Sequence, residues 1–351
     1  MKRFAAIMLL ATIFVFFSIP ATANKSDYVV EDFNDIVSNS GAGHWAFNEM
    51  SELISMGILK GYNGGTVYDD NLGQEVPVQL AKPDRKITRA EFAVLLSEVL
   101  NLQPGEATVA FNDQIPSWAK DAVNALSKAG IIRGNPDGTF RPDDNISRAE
   151  IAAMIVQSVN DKSEKAGKYF PDVRSRESHW AYDFIQKASS MGIIKGQPNG
   201  TFAPNRSALR AEVAVMLYQF MLKDRSQAPE DGRLLTRTDN MLKAIEASIN
   251  NNPGAVELSS ALPYLTGREE AILADSAKTI NDMKQRVSLS YRVTYPGTVV
   301  DKSDRWAEVV YQSLITVSAG DKKSERRSRE HYYLMKIGDE WYIYSDMIED
   351  L

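Results

Sequence analysis

The sequence predicts a multidomain chain: an all-α region of three helix–loop–helix repeats packed into one helical domain, then an α+β domain with an antiparallel sheet. Three observations predict it. One residue pattern recurs three times between Phe33 and Leu222, and the hydrophobic period switches from helical to alternating at about residue 287. The composition is that of a folded chain, with 44% hydrophobic, 9% aromatic and 25% charged residues in 351. At roughly 150 residues per domain the length suits about two domains, each able to bury a core.

The first element is a leader. Lys2 and Arg3 give a positive start, Phe4 to Ile19 is a run of 16 residues without a charge, and Ala21-Thr22-Ala23 offers small residues to a signal peptidase. Residues 1–23 are therefore expected to be a signal peptide, the run being short of the ~20 residues that span a bilayer. Its removal leaves 38 basic against 46 acidic side chains. A chain with that balance makes a poor nucleic-acid binder, since such binding rests on neutralising phosphates with Lys and Arg. No cysteine is present, which excludes disulfide scaffolds, thiol catalysis and thiolate metal sites, and three histidines leave little for metal ligation.

The repeats come next. Aligned on tryptophan, the copies read Phe33-Asn34-Asp35…His44-Trp45-Ala46…Gly57-Ile58-Leu59-Lys60-Gly61, then Phe111-Asn112-Asp113…Trp118-Ala119…Gly130-Ile131-Ile132-Arg133-Gly134, then Phe170-Pro171-Asp172…His179-Trp180-Ala181…Gly192-Ile193-Ile194-Lys195-Gly196. In each, tryptophan to glycine is twelve positions and glycine to glycine four. After the tryptophan, apolar residues fall at helical spacing (Trp118, Ala122, Leu126, Ala129), and Gly130 and Gly192 stand where a left-handed C-terminal cap belongs. A turn of Pro-Asp-Gly or Pro-Asn-Gly type follows, then a second helix opened by Thr88-Arg89-Ala90-Glu91 or Ser147-Arg148-Ala149-Glu150, both capping boxes. Gly61 to Arg89 is 28 positions where the other copies have 14, so the first repeat carries an insertion, read as a small hairpin from its alternating apolar residues. One such unit has no core of its own, so three are expected to pack together. The expected boundaries are 24–108, 109–165 and 166–222 for the repeats, 223–233 for a polar linker and 234–351 for the second domain.

Phe-x-Asp, Trp-Ala, Gly-Ile-(Ile/Leu)-x-Gly, Asp-Gly-Thr-Phe-x-Pro and (Thr/Ser)-Arg-Ala-Glu, in that order and repeated from about Phe33 to Leu222, resemble the S-layer homology repeats of bacterial surface proteins. The resemblance implies a pseudo-threefold helical bundle. It also implies grooves between repeats that hold a secondary cell-wall polysaccharide, typically ending in a pyruvate-ketal sugar, with the motif arginine contacting that anion. Those arginines are Arg89, Arg148 and Arg210.

The residues support an anion on separate grounds. An arginine in the first helical turn opposes the macrodipole by ~0.3–1 kcal/mol, and three such placements are explained if an anion sits between the guanidinium and the unpaired helix N–H groups. The alternative is that each arginine pairs with a neighbouring carboxylate. On the anion reading the guanidinium stands outside the core, and Arg148→Ala leaves stability nearly unchanged. Trp45, Trp118 and Trp180 either stack on a sugar face or open the core face of a helix. Asp35, Asp113 and Asp172 either accept hydrogen bonds from sugar hydroxyls or cap a helix. His44 and His179 read as surface or packing residues, and the acidic loop at Asp137, Asp143 and Asp144 lacks the EF-hand spacing, so no metal and no cofactor is expected.

The last third changes period. Leu234–Ile249 and Arg268–Met283 read as helices, and four alternating runs starting at Val287, Trp306, His331 and Glu340 read as strands, the last two joined by a Gly338-Asp339 turn. HYYLMKIGDEWYIYSDMI resembles the final hairpin of the nuclear-transport-factor-like cone, in which a curved sheet wraps a helix. His331 is the one histidine there, and Tyr332, Tyr333, Trp341, Tyr342 and Tyr344 either line a pocket or pack across strands. Lys322, Lys323, Arg326, Arg327 and Arg329 are expected at a hairpin tip, solvated or against anionic wall polymer. No nucleophile elbow, zinc-protease helix, phosphate loop or dinucleotide fingerprint occurs. The sequence therefore reads as an exported wall-anchored binding or structural protein, free of the membrane once the leader is cut. The alternative is a wall-anchored enzyme with a catalytic pocket in residues 234–351.

Overall fold

A computed structural model of the chain describes residues 35–36, 43–69, 74–105, 110–159, 166–225, 227–251, 258–266 and 287–351, with residues 269, 273, 280 and 281 between them. The expected signal peptide and most of the helix expected over 268–283 lie outside the described residues.

Among the described residues six helices build the repeats: α1 (Phe47–Ser55), α2 (Arg89–Leu100), α3 (Ser117–Lys128), α4 (Arg148–Gln157), α5 (Tyr182–Ser190) and α6 (Arg210–Lys223). The first helix of each pair ends as its sequence dictates. Gly57, Gly130 and Gly192 take φ of 75°, 75° and 78°, a left-handed conformation that lets the chain turn back after the last carbonyls. The capping boxes at Thr88/Glu91 and Ser147/Glu150 both form. Leu209 has no hydroxyl to offer, yet the Glu212 carboxylate still accepts its backbone N–H at 3.0 Å. The insertion is the expected hairpin, β1 (Tyr62–Asp69) paired antiparallel with β2 (Gln74–Leu80).

The repeats meet head to tail in a closed ring of backbone hydrogen bonds. Ile146 N–H donates to Ile87 O (3.0 Å), Ala208 N–H to Ile146 O (2.9 Å) and Ile87 N–H to Ala208 O (3.2 Å), and these three residues occupy one equivalent position. Around the ring Phe92, Leu96, Phe140, Ile151, Phe202, Val213 and Leu217 are fully buried, a shared core that no single repeat could form.

The second part consists of α7 (Asp231–Asn251), a 3-10 turn at Leu262–Tyr264, and an antiparallel meander of β3 (Ser288–Lys302), β4 (Trp306–Ala319), β5 (Lys322–Ile337) and β6 (Glu340–Asp350). The sequence suggests a stop near Tyr295, before Pro296. The strand continues because β3 is the sheet edge, where a missing N–H costs no ladder bond. Gly297 permits the crossing there, since a Cβ at that position would lie 2.2 Å from the Tyr311 ring. The basic run is a correction: only the Gly320-Asp321 pair turns, while Lys322 opens β5 and Arg326, Arg327 and Arg329 lie along it in register with β4.

The sheet is a middle layer. One face, with Tyr291, Val309, Tyr311, Leu334 and Trp341, packs on Leu234, Met241, Leu242 and Ile249 of α7. From the other face Trp306, Tyr333, Met335 and Tyr344 join the core of the repeats. There the Tyr344 hydroxyl donates to Glu52 of α1 at 2.7 Å and accepts from Trp306 Nε1 at 2.9 Å. The connection between α6 and α7 is pinned to the β3–β4 turn: Asp224 pairs with Arg305 (2.8 Å), Arg225 with Asp301 (2.7 Å), and Ser303 Oγ donates to Met221 O. Among the described residues no helix is long and apolar enough to cross a membrane.

Candidate functional site

Arg89, Arg148 and Arg210 are each the first residue of their helix, and all three are buried, at 9%, 5% and 5% exposure. This corrects the expectation of a guanidinium outside the core. Each reaches into the next repeat: Nε donates to Phe140 O from Arg89 (2.9 Å), to Phe202 O from Arg148 (2.8 Å) and to Ala81 O from Arg210 (2.7 Å). Arg89 then pairs with Glu150 (2.5 Å) and Arg148 with Glu212 (2.9 Å), each the glutamate of the next repeat's motif. The helix amides expected to face an anion are already used. Arg148 N–H donates to Arg206 O (3.1 Å) and Ala149 N–H to Pro204 O (2.9 Å), with the same pattern at Arg89, Ala90, Arg210 and Ala211. An anion at these sites therefore meets side chains and not a helix N-terminus.

The aspartates do not cap a helix. Asp113 accepts the backbone N–H of Phe140 (2.8 Å) and Arg141 (2.6 Å), Asp172 those of Phe202 (2.9 Å) and Ala203 (2.7 Å), and Asp35 those of Ala81 (2.7 Å) and Lys82 (2.6 Å). Lys82, Arg141 and Ala203 have φ of 48°, 58° and 58°, rare for residues with a Cβ. Each carboxylate thus holds a strained turn whose preceding carbonyl receives the motif arginine. They are positioning residues.

The tryptophans resolve the other way. Trp45, Trp118 and Trp180 are 62%, 59% and 62% exposed and stand outside the core. Trp45 borders a groove of about 590 Å³ whose walls include Arg148, Lys195, Arg206, Glu212 and Met216. All three repeats contribute to it. Glu212 takes both Arg148 and Arg206, the latter in a short contact. Burial raises the Glu212 carboxyl, but hydrogen bonds from Arg206 and the Leu209 N–H together with the Arg148 charge outweigh it and hold it below its ordinary value. With Nε and one terminal nitrogen of Arg148 engaged, its other terminal nitrogen has no partner among the described residues. The groove thus offers three cations against Glu212 and Glu49 beside an aromatic face, a suitable setting for a carboxylate-bearing sugar. Arg206 escapes the motif reading, although it stands four positions before the motif arginine just as Arg85 does.

The remaining candidates are accounted for by local contacts. His44 and His179 accept the N–H of Ala46 (3.2 Å) and Ala181 (3.1 Å), starting their helices. Asp137 is bound by Thr139 and Arg141, which hold its carboxyl well below the usual range. Among the described residues no group of three or more His, Asp or Glu is placed to hold a metal. His331 meets Glu308 at 2.7 Å. On the α7 side of the sheet Glu330 is buried and accepts from Tyr291 (2.8 Å), Tyr332 (2.5 Å) and Ser313. Trp341, Tyr332, Tyr333 and Tyr344 are buried in packing.

The sequence profile described as the S-layer homology domain matches residues 41–68, 110–152 and 169–214. The three matched segments fall one in each of the three repeats. It is 32% identical over 231 residues to a cellulosome-anchoring protein of Acetivibrio thermocellus, covering 63% of this chain and 44% of that one. It is 32% identical over 197 residues to an amylopullulanase of Thermoanaerobacterium thermosulfurigenes (54% and 10%) and 30% identical over 174 residues to an S-layer protein of Bacillus licheniformis (49% and 18%). The chain spans less than half the length of these relatives. Among solved structures, the intermembrane space region of chloroplast protein ARC6 aligns with 35% of this chain at 14% identity and a TM-score of 0.25.

Proposed function

We propose that this chain is an exported cell-surface protein held non-covalently on the cell wall by its S-layer homology repeats, which form a pseudo-threefold bundle and bind an anionic, pyruvate-ketal-bearing secondary wall polysaccharide. One observation carries the reading: the groove between Trp45 and Arg148, where an exposed indole, a buried guanidinium with a free N–H edge, Arg206 and Lys195 converge. A pyranose stacked on the indole sets its carboxylate among these donors, and the charge-assisted hydrogen bonds supply specificity. Kinship with a cellulosome-anchoring protein and an S-layer protein supports the anchoring role. Residues 234–351 are presented from the wall as a non-catalytic α+β domain, with hydroxyls and carboxylates of its sheet turned inward on one another.

Co-sedimentation of the full chain with purified Gram-positive sacculi, before and after acid extraction of the secondary polymer, tests this. The chain should pellet with intact sacculi and stay in solution with extracted ones. Equal pelleting with both would overturn the polymer as the ligand.

A further inference from the structure

Resting on that reading, we propose that one of the three grooves, the one between Trp45 and Arg148, takes the wall polymer in this chain, because Tyr62 of the inserted hairpin plugs the second and Asp144 spoils the charge of the third. The repeats relate the grooves: Trp45, Arg148 and the Lys195–Glu212 wall of the first correspond to Trp118, Arg210 and the Lys60–Glu91 wall of the second, and to Trp180, Arg89 and the Arg133–Glu150 wall of the third.

At the second groove the chain supplies its own occupant. Tyr62 is the first residue of β1, fixed opposite Leu80 by strand pairing, and stands where the open groove has Gln197. Arg210, Arg85 and Lys82 all lie over its ring, at 4.9, 5.1 and 4.6 Å from the centroid. Its hydroxyl accepts from Arg85 (2.5 Å), lies 3.4 Å from a terminal nitrogen of Arg210 and donates to Glu91 at 3.4 Å. The phenol thus stands between Arg210 and Glu91, whose equivalents Arg148 and Glu212 touch directly. The other terminal nitrogen of Arg210 goes to Lys60 O, so each of its nitrogens is engaged within the chain, whereas Arg148 keeps one free. A sugar carboxylate there must displace a phenol held by three cations.

The third groove is short of positive charge. Arg206 and Arg85 stand four positions before their motif arginines, and the equivalent residue of the second repeat is Asp144, which is exposed. Arg89 is paired with Glu150, so Arg89 and Arg133 are balanced by Glu150 and Asp144, while Arg148, Arg206 and Lys195 exceed Glu212 and Glu49. A carboxylate is drawn to the surplus at the first groove and is repelled by Asp144 at the third.

Calorimetric titration of the full chain with a soluble pyruvate-ketal hexoside counts the sites. The expected result is one site per chain, weakened at least tenfold by Trp45→Ala and less than twofold by Trp118→Ala or Trp180→Ala. All three indoles are exposed, so these variants keep the fold. Tyr62→Gln, which installs the residue of the open groove, should raise the count to two. Two or three sites in the parent, or a loss with Trp118→Ala or Trp180→Ala equal to that with Trp45→Ala, overturns the proposal, and a folded Tyr62→Gln variant with one site overturns the plug. Scoring the tryptophan variants by retention on sacculi gives the same discrimination among them if the hexoside binds too weakly to titrate. A parent chain that sacculi do not retain overturns the anchoring reading itself, an outcome distinct from all of these.

Discussion

Arg148→Ala should destabilise the fold substantially. The guanidinium side chain is 6% exposed and its Glu212 partner 8%. Two hydrogen bonds disappear, Nε to Phe202 O and the terminal nitrogen to Glu212, along with a guanidinium lying 4.7 Å over the Phe202 ring. Removing one member of a buried ion pair costs about 3–5 kcal/mol because the other charge is left uncompensated. Glu212 keeps Arg206 and the Leu209 N–H, which places the loss at the low end, about 3 kcal/mol. At ~2–4 °C per kcal/mol for a chain of this size, Tm should fall by about 6–12 °C in a calorimetric scan. Trp45→Ala, an exposed truncation, should move it by no more than ~0.5 kcal/mol equivalent. An Arg148→Ala variant melting within 2 °C of the parent would refute the reasoning and restore a guanidinium that matters only to ligand.

Three further outcomes follow from the geometry. Asp113→Ala frees the backbone N–H groups of Phe140 and Arg141 in a left-handed turn and should cost about 3 kcal/mol in urea unfolding, with Asp113→Asn costing less; an unchanged midpoint would show that the turn holds itself. Tyr344→Phe removes the hydroxyl joining Glu52 to Trp306 and should cost about 1–3 kcal/mol, measured by the same unfolding experiment, whereas no loss would mean the sheet contributes nothing to the repeats through this contact. Burial and the neighbouring Glu330 carboxylate push the Asp346 carboxyl from 3.8 up to about 7, so the folded chain holds this proton more tightly than the unfolded one. Its stabilisation is complete below about pH 4 and is lost as pH rises through about 7. Asp346→Asn should make the fall in Tm across that window shallower, and an identical profile would contradict the shift.

What the sequence makes legible is local. The capping boxes, the left-handed glycines and the hairpin insertion each depend on a few adjacent residues, and the helices and four strands follow from their periods. The arginine burial was not legible, because Arg89, Arg148 and Arg210 find their carbonyls 51, 54 and 129 residues away across repeat junctions. The aspartates escaped for the same reason: a carboxylate that closes a turn 27 to 46 residues later looks like any exposed Asp beside a helix. The tryptophans begin amphipathic helices, so their side chains could be read inward. They turn outward because Ala46, Ala119 and Ala181, one position on, are the fully buried residues. The docking of the sheet on α1 left no trace, since Glu52 and Tyr344 are 292 residues apart and no local pattern links them.

The central claim is most directly tested by the indole N–H signals in a two-dimensional NMR titration with the polymer released from sacculi. The chain has five tryptophans, of which Trp45, Trp118 and Trp180 are exposed on the repeats while Trp306 and Trp341 are buried at the sheet. The account predicts that the Trp45 signal shifts and saturates while those of Trp306 and Trp341 stay in place. A titration that leaves Trp45 unmoved, or one in which only the sheet tryptophans respond, would contradict it.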